Sequence, residues 1–525
     1  MRINFGTLFS LIATKHDDRT AVINVERERR YSYAEFHRLT NQVARMMRQR
    51  LGLAKNDRFM VITNNDNSTL LHFQTILKGD ATAVFANIRD SLDVHKWQIE
   101  HTSPKVVFLE RDLILSHSAY LLERGIVVVS MDPPDDPIDG IHIFWDLLDG
   151  ISDEDTDIEL HDREHVALIR YTGGTSGDGK PAEYSPDNLV NVRDNFLALE
   201  EADWTATTRI LHMSPLSHGG GLFFITGLFC GASNVTLNDP DLCKFCRVVE
   251  RERVTTTFVV PTLLYRLLDF PDALTANLTS LQNIYYGAAP MSATKLKLLQ
   301  ERFGNVFTQL YASTESFCAS LQMSKAAHAF AINENETLLA AAGRPVTGVE
   351  LMLMGEDGAP VSQGEVGEMW LRSRGTISGY YRNDVQTAAE FENGFWKSGD
   401  MAWMDEKGFV FLVDRKKDLV ISGGFNIYPS EVEMAINAHP AVLMSAVVGV
   451  PHEEWGEALH AEVIIRENEN ITESELIGFV KNELGSYKAP KTVRFVSQLP
   501  LSPAGKVLRR AVRDQHWKNT SLKIN

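Results

Sequence analysis

Three features of the chain predict an α/β fold with parallel sheets under helices and a smaller α/β region near the C-terminal end. The length is 525 residues, more than one core supports, so two or more domains are expected. Strand-like apolar runs alternate with helical patterns, the arrangement of parallel sheets covered by helices. After about residue 345 the pattern changes to short strands joined by Gly- and Asp-rich turns.

In chain order, the run at 57–64 (DRFMVITN) precedes a helical pattern, STLLHFQTILKGDA, and strands are expected at 105–110 and 125–130. The strand at 166–172 runs into a glycine-rich loop, and 255–260 leads through Pro261 into the helix TLLYRLLDF. The strand at 281–287 precedes the helix SATKLKLLQERFG. Further on, FVFLVDRKKDLVIS (409–422) holds two apolar segments split by the charged run Asp414–Asp418. That split reads as a hinge at 415–418, dividing residues 1–414 from a region at 419–525 that is large enough to fold as a domain.

Composition narrows the function. A chain that is 44% hydrophobic and 23% charged is that of an ordinary globular protein. A formal charge of −17 opposes non-specific nucleic-acid binding. Four cysteines are too few for a disulfide scaffold, and Cys243 and Cys246 read as two small residues on one helix face. Neither a signal peptide nor a membrane-length apolar run is evident, so a cytoplasmic monomer or homodimer is expected.

The loop YTGGTSGDGKP (171–181) carries the first chemistry. From Gly174 it matches most of a nucleotide-binding P-loop, but Pro181 stands where a Mg²⁺-ligating Ser or Thr belongs. Pro181 and Pro186 also predict extended or turning chain after Lys180, not the helix that a P-loop enters. Glycines that turn N–H groups toward an anion, small hydroxyls and a mobile cation still make a phosphate cradle.

This loop resembles the signature of the adenylate-forming superfamily, which includes acyl- and aryl-CoA synthetases. Six further blocks resemble that family in the same order: SPLSHGGG (214–221), YYGAAPM (285–291), QLYASTE (309–315), KSGDMAWMDEKGFVFLVDRKKD (397–418), ISGGFNIYPSEVE (421–433) and LPLSPAGKVLRR (499–510). The resemblance spans nearly the whole chain. It implies an N-terminal AMP-binding domain of two helix-covered sheets with a β-rich subdomain, and a mobile C-terminal domain pivoting at Lys417.

The resemblance also implies site residues. Thr172, Gly173, Gly174, Thr175, Ser176, Gly177 and Lys180 would hold ATP phosphates, with Thr175 and Lys180 acting in catalysis. Gly287, Ala288, Ala289, Pro290, Tyr311 and Thr314 would line the AMP site, Tyr311 stacking on adenine, while Asp400 and Arg415 would meet the ribose. Glu315 would hold the Mg²⁺ of MgATP, the hard-cation role of a carboxylate. Lys506 would meet the charge that builds as the acid attacks the α-phosphate. His218 would sit beside the substrate carboxylate, which is already ionised and needs no base. The acyl pocket would comprise His218, Gly219, Gly220, Tyr286, Gly287, Leu310 and Ala312. Gly423, Gly424 and Trp455 would form the thiol path. Pro181, Glu183 and Pro186 depart from the family's pattern and put the loop's fine geometry in question.

An α-amino acid would need a carboxylate after His218 to pair its ammonium, and Gly219 stands there instead. A fatty, aryl or other apolar acid is therefore expected as the small-molecule partner, with ATP, Mg²⁺ and CoA. A phosphopantetheine on a separate acyl carrier protein is the alternative acceptor. A kinase-like NTPase and a non-catalytic nucleotide binder are the readings from other classes.

Overall fold

The computed structural model describes residues 2–3, 5–156, 158, 160–161, 165–172, 179–422, 425–452, 455–467, 469–501 and 507–517. Among these residues the strands form four main sheets. The first has seven strands, six of them parallel. Strand β1 (Leu168–Tyr171) carries an antiparallel edge strand, β2 (Pro181–Tyr184), and helix α1 (Pro186–Leu197) follows. The second has nine strands with a parallel centre that includes β3 (Asn283–Gly287) and β4 (Phe307–Ala312). Helix α2 (Leu222–Phe229) packs on α1 between the two sheets, and helix α3 (Ala293–Phe303) joins β3 to β4. One large core cluster, including Phe59, Phe73, Phe108, Phe196, Phe223 and Phe224, spans both sheets.

The third sheet is antiparallel and includes β5 (Phe395–Met404) and β6 (Val410–Arg415). After a single 3₁₀ turn at Lys416–Asp418 the chain enters a fourth sheet through β7 (Val420–Ser422), β8 (Val442–His452) and β9 (Gly456–Ile465). Helix α4 (Arg509–Trp517) packs on β8. This sheet has its own core of Val432, Ile436, Val447, Leu459 and Leu476.

Most expected strands appear within a residue or two, and Cys243 and Cys246 lie on the helix Leu242–Glu252. The helix expected after residue 64 is broken instead into Asn65–Ser68, a 3₁₀ turn at Thr69–Leu71 and Phe73–Ile76. Polar anchoring breaks it: Asn65 Nδ2 donates to Ser214 and Leu237 carbonyls, and Thr69 Oγ1 donates to the Asp66 carbonyl. No helix of the described residues is long and apolar enough to cross a membrane.

The two prolines after the loop fall where proline is tolerated. Pro181 opens an edge strand, and Pro186 occupies the first turn of α1 behind the Ser185 cap, whose hydroxyl accepts from the Asn188 N–H. The chain after Lys180 is thus extended through Tyr184, as expected, whereas Pro186, expected to turn the chain, opens a helix.

The C-terminal sheet docks on α3. Lys295 Nζ donates to the carbonyls of Val442 (3.0 Å) and Leu443, and Arg466 pairs with Asp269 nearby. Burial, helped by the positive charge of Arg466, pulls Lys295 down to about 7 from 10.5. Between those values the unfolded chain binds more protons at this residue than the folded one, so its contribution makes stability rise with pH. Its penalty is full below pH 7 and fades toward 10.5. Wild type should therefore gain thermal stability relative to Lys295→Met as pH rises from 7 to 9. Melts of both proteins at each pH check this, and a constant gap between them would contradict it.

Candidate active site

A cleft of about 1670 Å³ runs between the N-terminal sheets and the third and fourth sheets. The phosphate loop leaves β1 and returns at β2. Its base is closed by Thr172, whose N–H donates to the Lys180 carbonyl (2.8 Å) and whose hydroxyl accepts from the Lys180 N–H (3.0 Å). Gly173, Gly174, Thr175, Ser176 and Gly177 lie outside the described residues, as do Gly423, Gly424 and Lys506.

Lys180 does not point into open space. Its Nζ donates to both carboxylate oxygens of Glu390 at 2.6 and 2.8 Å and lies 3.8 Å from Glu315 Oε1. The Tyr380 hydroxyl bridges the two acids, donating to Glu315 at 2.8 Å and contacting Glu390. Glu315 is 6% exposed, and its burial raises its pKa against the opposing pull of Lys180. Burial also works against the Glu390 carboxylate, but its hydrogen bonds from Lys180 and Tyr380 prevail and hold its pKa low. The cluster is one cation between two carboxylates, with the Tyr380 hydroxyl joining the two acids.

The neighbouring wall of the cleft is built from paired strands. Tyr311, on β4, donates its hydroxyl to Asp400 on β5, and Arg415 Nε lies 3.3 Å from the other Asp400 oxygen. Gly287, Ala289, Pro290 and Thr314 share this wall. Ala288 joins them with a φ of +69°, a left-handed conformation that a non-glycine residue adopts only when its surroundings hold it there.

An apolar limb of the cleft lies beside His218, whose Nδ1 is 3.2 Å from Ser217 Oγ. Gly219, Gly220, Leu222, Leu310 and Ala312 line it with Phe196, Phe223 and Phe258. Phe223 stacks on Phe258 at 5.4 Å and meets Phe196 edge-on at 4.6 Å. The three glycines are not equivalent. A Cβ on Gly220 would come within 2.7 Å of the Ser214 carbonyl, and one on Gly221 within 2.1 Å of the Leu216 carbonyl; Gly219 faces open space.

Two expected positions fall elsewhere. Tyr286 does not line the cleft: it is fully buried, and its hydroxyl is bonded to Gln309 and His328. Tyr285, on the opposite face of β3, packs against Phe223 instead. Trp455 stacks on His452 with Lys491 over its ring, away from the cleft in this arrangement. The Lys417 backbone lies in the 3₁₀ turn between β6 and β7.

The AMP-binding enzyme family matches residues 9–381, and the AMP-binding enzyme C-terminal domain matches residues 431–506. The chain belongs to this family. The medium/long-chain-fatty-acid–CoA ligase FadD8 of Mycobacterium tuberculosis is 36% identical over 368 residues, 69% of this chain and 63% of that protein, so less than two thirds of FadD8 is covered. The fatty acid–[acyl-carrier-protein] ligase ScoC of Streptomyces coeruleorubidus is 29% identical over the whole of both chains (100% of each). Among solved structures, ATP-bound MatB from Rhodopseudomonas palustris superposes with a TM-score of 0.86 at 28% identity, over 98% of this chain and 99% of that one. The AMP-binding fold assigned from sequence is thus the observed one.

Three residues at or just behind the cleft of this AMP-binding enzyme were not legible from its motifs. Glu390 and Tyr380 hold the loop lysine from 210 and 200 positions away, a separation no local pattern reports. Arg170, on β1, is 6% exposed on the cleft wall between the rings of Tyr184 and Phe317. Among the described residues no carboxylate pairs with it, and burial lowers its pKa.

Proposed function

We propose that this AMP-binding enzyme activates an apolar carboxylic acid with ATP and transfers the acyl group to the thiol of CoA. In the first step the carboxylate oxygen attacks the α-phosphorus and pyrophosphate leaves. In the second the thiol sulfur attacks the acyl carbonyl, AMP leaves, and the thiol proton goes to solvent. The observation that carries the reading is the continuity of one cleft from the Lys180–Glu315 cluster to the aromatic limb beside His218. Lys180, Thr172 and the loop between them bind the phosphates, and Tyr311, Asp400 and Arg415 bind the nucleoside. His218 flanks the reacting carboxylate, and Gly219 lines the limb beyond it. Mg²⁺ bound at Glu315 would neutralise phosphate charge. Lys506 supplies the cation at the α-phosphate, and Gly423 and Gly424 flank the thiol.

Acid-dependent ATP–pyrophosphate exchange across alkyl, aryl and amino acids tests the reading; exchange with α-amino acids alone, or none with any acid, would refute it. Full-length alignment with ScoC supports a second acceptor, a carrier-protein phosphopantetheine. Supplying CoA and a loaded carrier protein in separate assays distinguishes them.

The glycines give a sharper test. Gly219→Leu should fill the limb and lower kcat/KM for bulky acids by about 10–200-fold while sparing acetate-sized ones. Gly220→Ala should instead destabilise the protein, by about 1–3 kcal/mol, because its Cβ meets backbone. Acid profiles and melting curves of the two variants check this; an unchanged profile for Gly219→Leu would place the pocket elsewhere.

A further inference from the structure

On the C-terminal domain, His460 and Glu462 point to the same side of β9, two residues apart, and His516 approaches them from the last turn of α4. One ligand atom from each residue lies within 4.8 Å of the other two. We propose that these three side chains form a binding site for a borderline first-row divalent ion, zinc being the representative, separate from the adenylation cleft.

Four observations support the site. His460 is 5% exposed and Glu462 3%, so both are held by the core and not by solvent. His460 Nδ1 lies 2.6 Å from Thr492 Oγ1. A proton on Nδ1, given to that hydroxyl, leaves the lone pair on Nε2, the tautomer that binds metal. His460 Nε2 and His516 Nε2 are both buried without a hydrogen-bond partner, which is costly unless something else satisfies them. Two imidazoles and a carboxylate are also a donor set that zinc takes with a fourth, solvent position, whereas Mg²⁺ and Ca²⁺ want oxygen only.

The closure required is small. Ligands 2.0–2.1 Å from a tetrahedral ion stand about 3.4 Å apart. The present spread therefore needs a contraction of about 1.4 Å, within reach of side-chain rotation at the helix end. Arg494 lies 3.4 Å from Glu462 but is mostly exposed and can turn to water when a cation arrives. The ion would pin α4 to β9, and α4 directly follows the residues after Lys506.

The test uses the full-length protein, stripped with chelator and dialysed. Zinc titration with metal analysis should give one tight equivalent per chain, and Co²⁺ should give the visible d–d bands of a low-coordinate nitrogen–oxygen site. His516→Ala should lose that equivalent and the zinc-dependent rise in melting temperature. Thr492→Val keeps all three ligands and should weaken binding by about 10–100-fold. The chain has 16 histidines, so the comparison with the variants decides the assignment. No tight zinc in the wild type, or the same stoichiometry and affinity in folded His516→Ala, would overturn the proposal.

Discussion

Replacing Glu315 by alanine should lower acid-dependent ATP–pyrophosphate exchange by about 10²–10³-fold, the scale of losing one preorganised electrostatic group. The carboxylate is buried against Tyr380 and within 3.8 Å of Lys180, so its removal takes charge from the centre of the phosphate cluster. If Glu315 holds the ion that accompanies ATP, raised Mg²⁺ should recover part of the loss. The fold should survive, because Glu390 still neutralises Lys180. Exchange rates over a Mg²⁺ series, with a melting curve as control, measure this. Wild-type exchange at ordinary Mg²⁺ would remove Glu315 from the reaction.

Lys506→Ala and Lys417→Pro should separate the two half-reactions. Loss of the Lys506 cation should cost about 3 kcal/mol of transition-state stabilisation in adenylate formation. The same variant should still convert supplied acyl-AMP and thiol to thioester. Lys417→Pro fixes φ near −65° at the turn between β6 and β7 and restricts Lys416 as well. It should keep pyrophosphate exchange and lose thioester formation. The structure links the two positions. Arg509, three residues after Lys506, is bonded to Glu433 at 2.6 and 2.8 Å, to Asp414 at 2.9 Å, and lies 3.7 Å from Asp418. The chain after Lys506 is thereby held to Glu433 on its own domain and, across the turn, to Asp414, so rotation at the turn must release the Arg509–Asp414 contact while Arg509 stays with Glu433. Equal loss of both half-reactions in both folded variants would exclude alternation about Lys417.

The parts legible in the sequence were those written locally. A strand followed by glycines, hydroxyls and a lysine reads locally as a phosphate cradle, Pro181 tells it from a P-loop, and β1, the loop base and β2 follow that strand–loop–strand path. The apolar runs at 105–110 and 125–130 were legible because strands buried on both faces are continuously apolar. The same continuity hid the orientation of β3: all five of its residues are buried, so alternation could not tell which tyrosine packs toward Phe223, and it is Tyr285, not Tyr286. Glu390 was hidden for a different reason. It ends a short helix (Asp384–Glu390) whose composition reads as solvated surface, and only the pairing of the preceding segment, Tyr380 with Ala182 on β2, brings it to Lys180.

The unequal surroundings of Gly219, Gly220 and Gly221 bear on how the acid specificity of such an enzyme can drift. Two of the three positions are closed to any side chain by carbonyls of the preceding turn. Inherited or engineered variation in this segment is funnelled into Gly219, where each added carbon shortens the limb and leaves the chain path alone. If this limb holds the acid, a single codon would act as a length gauge for the substrate, adjustable in small steps without compensating changes in the scaffold. Related enzymes with shorter or longer acids should differ here first, and a library confined to this codon should sample acid size more efficiently than one spread over the whole triplet.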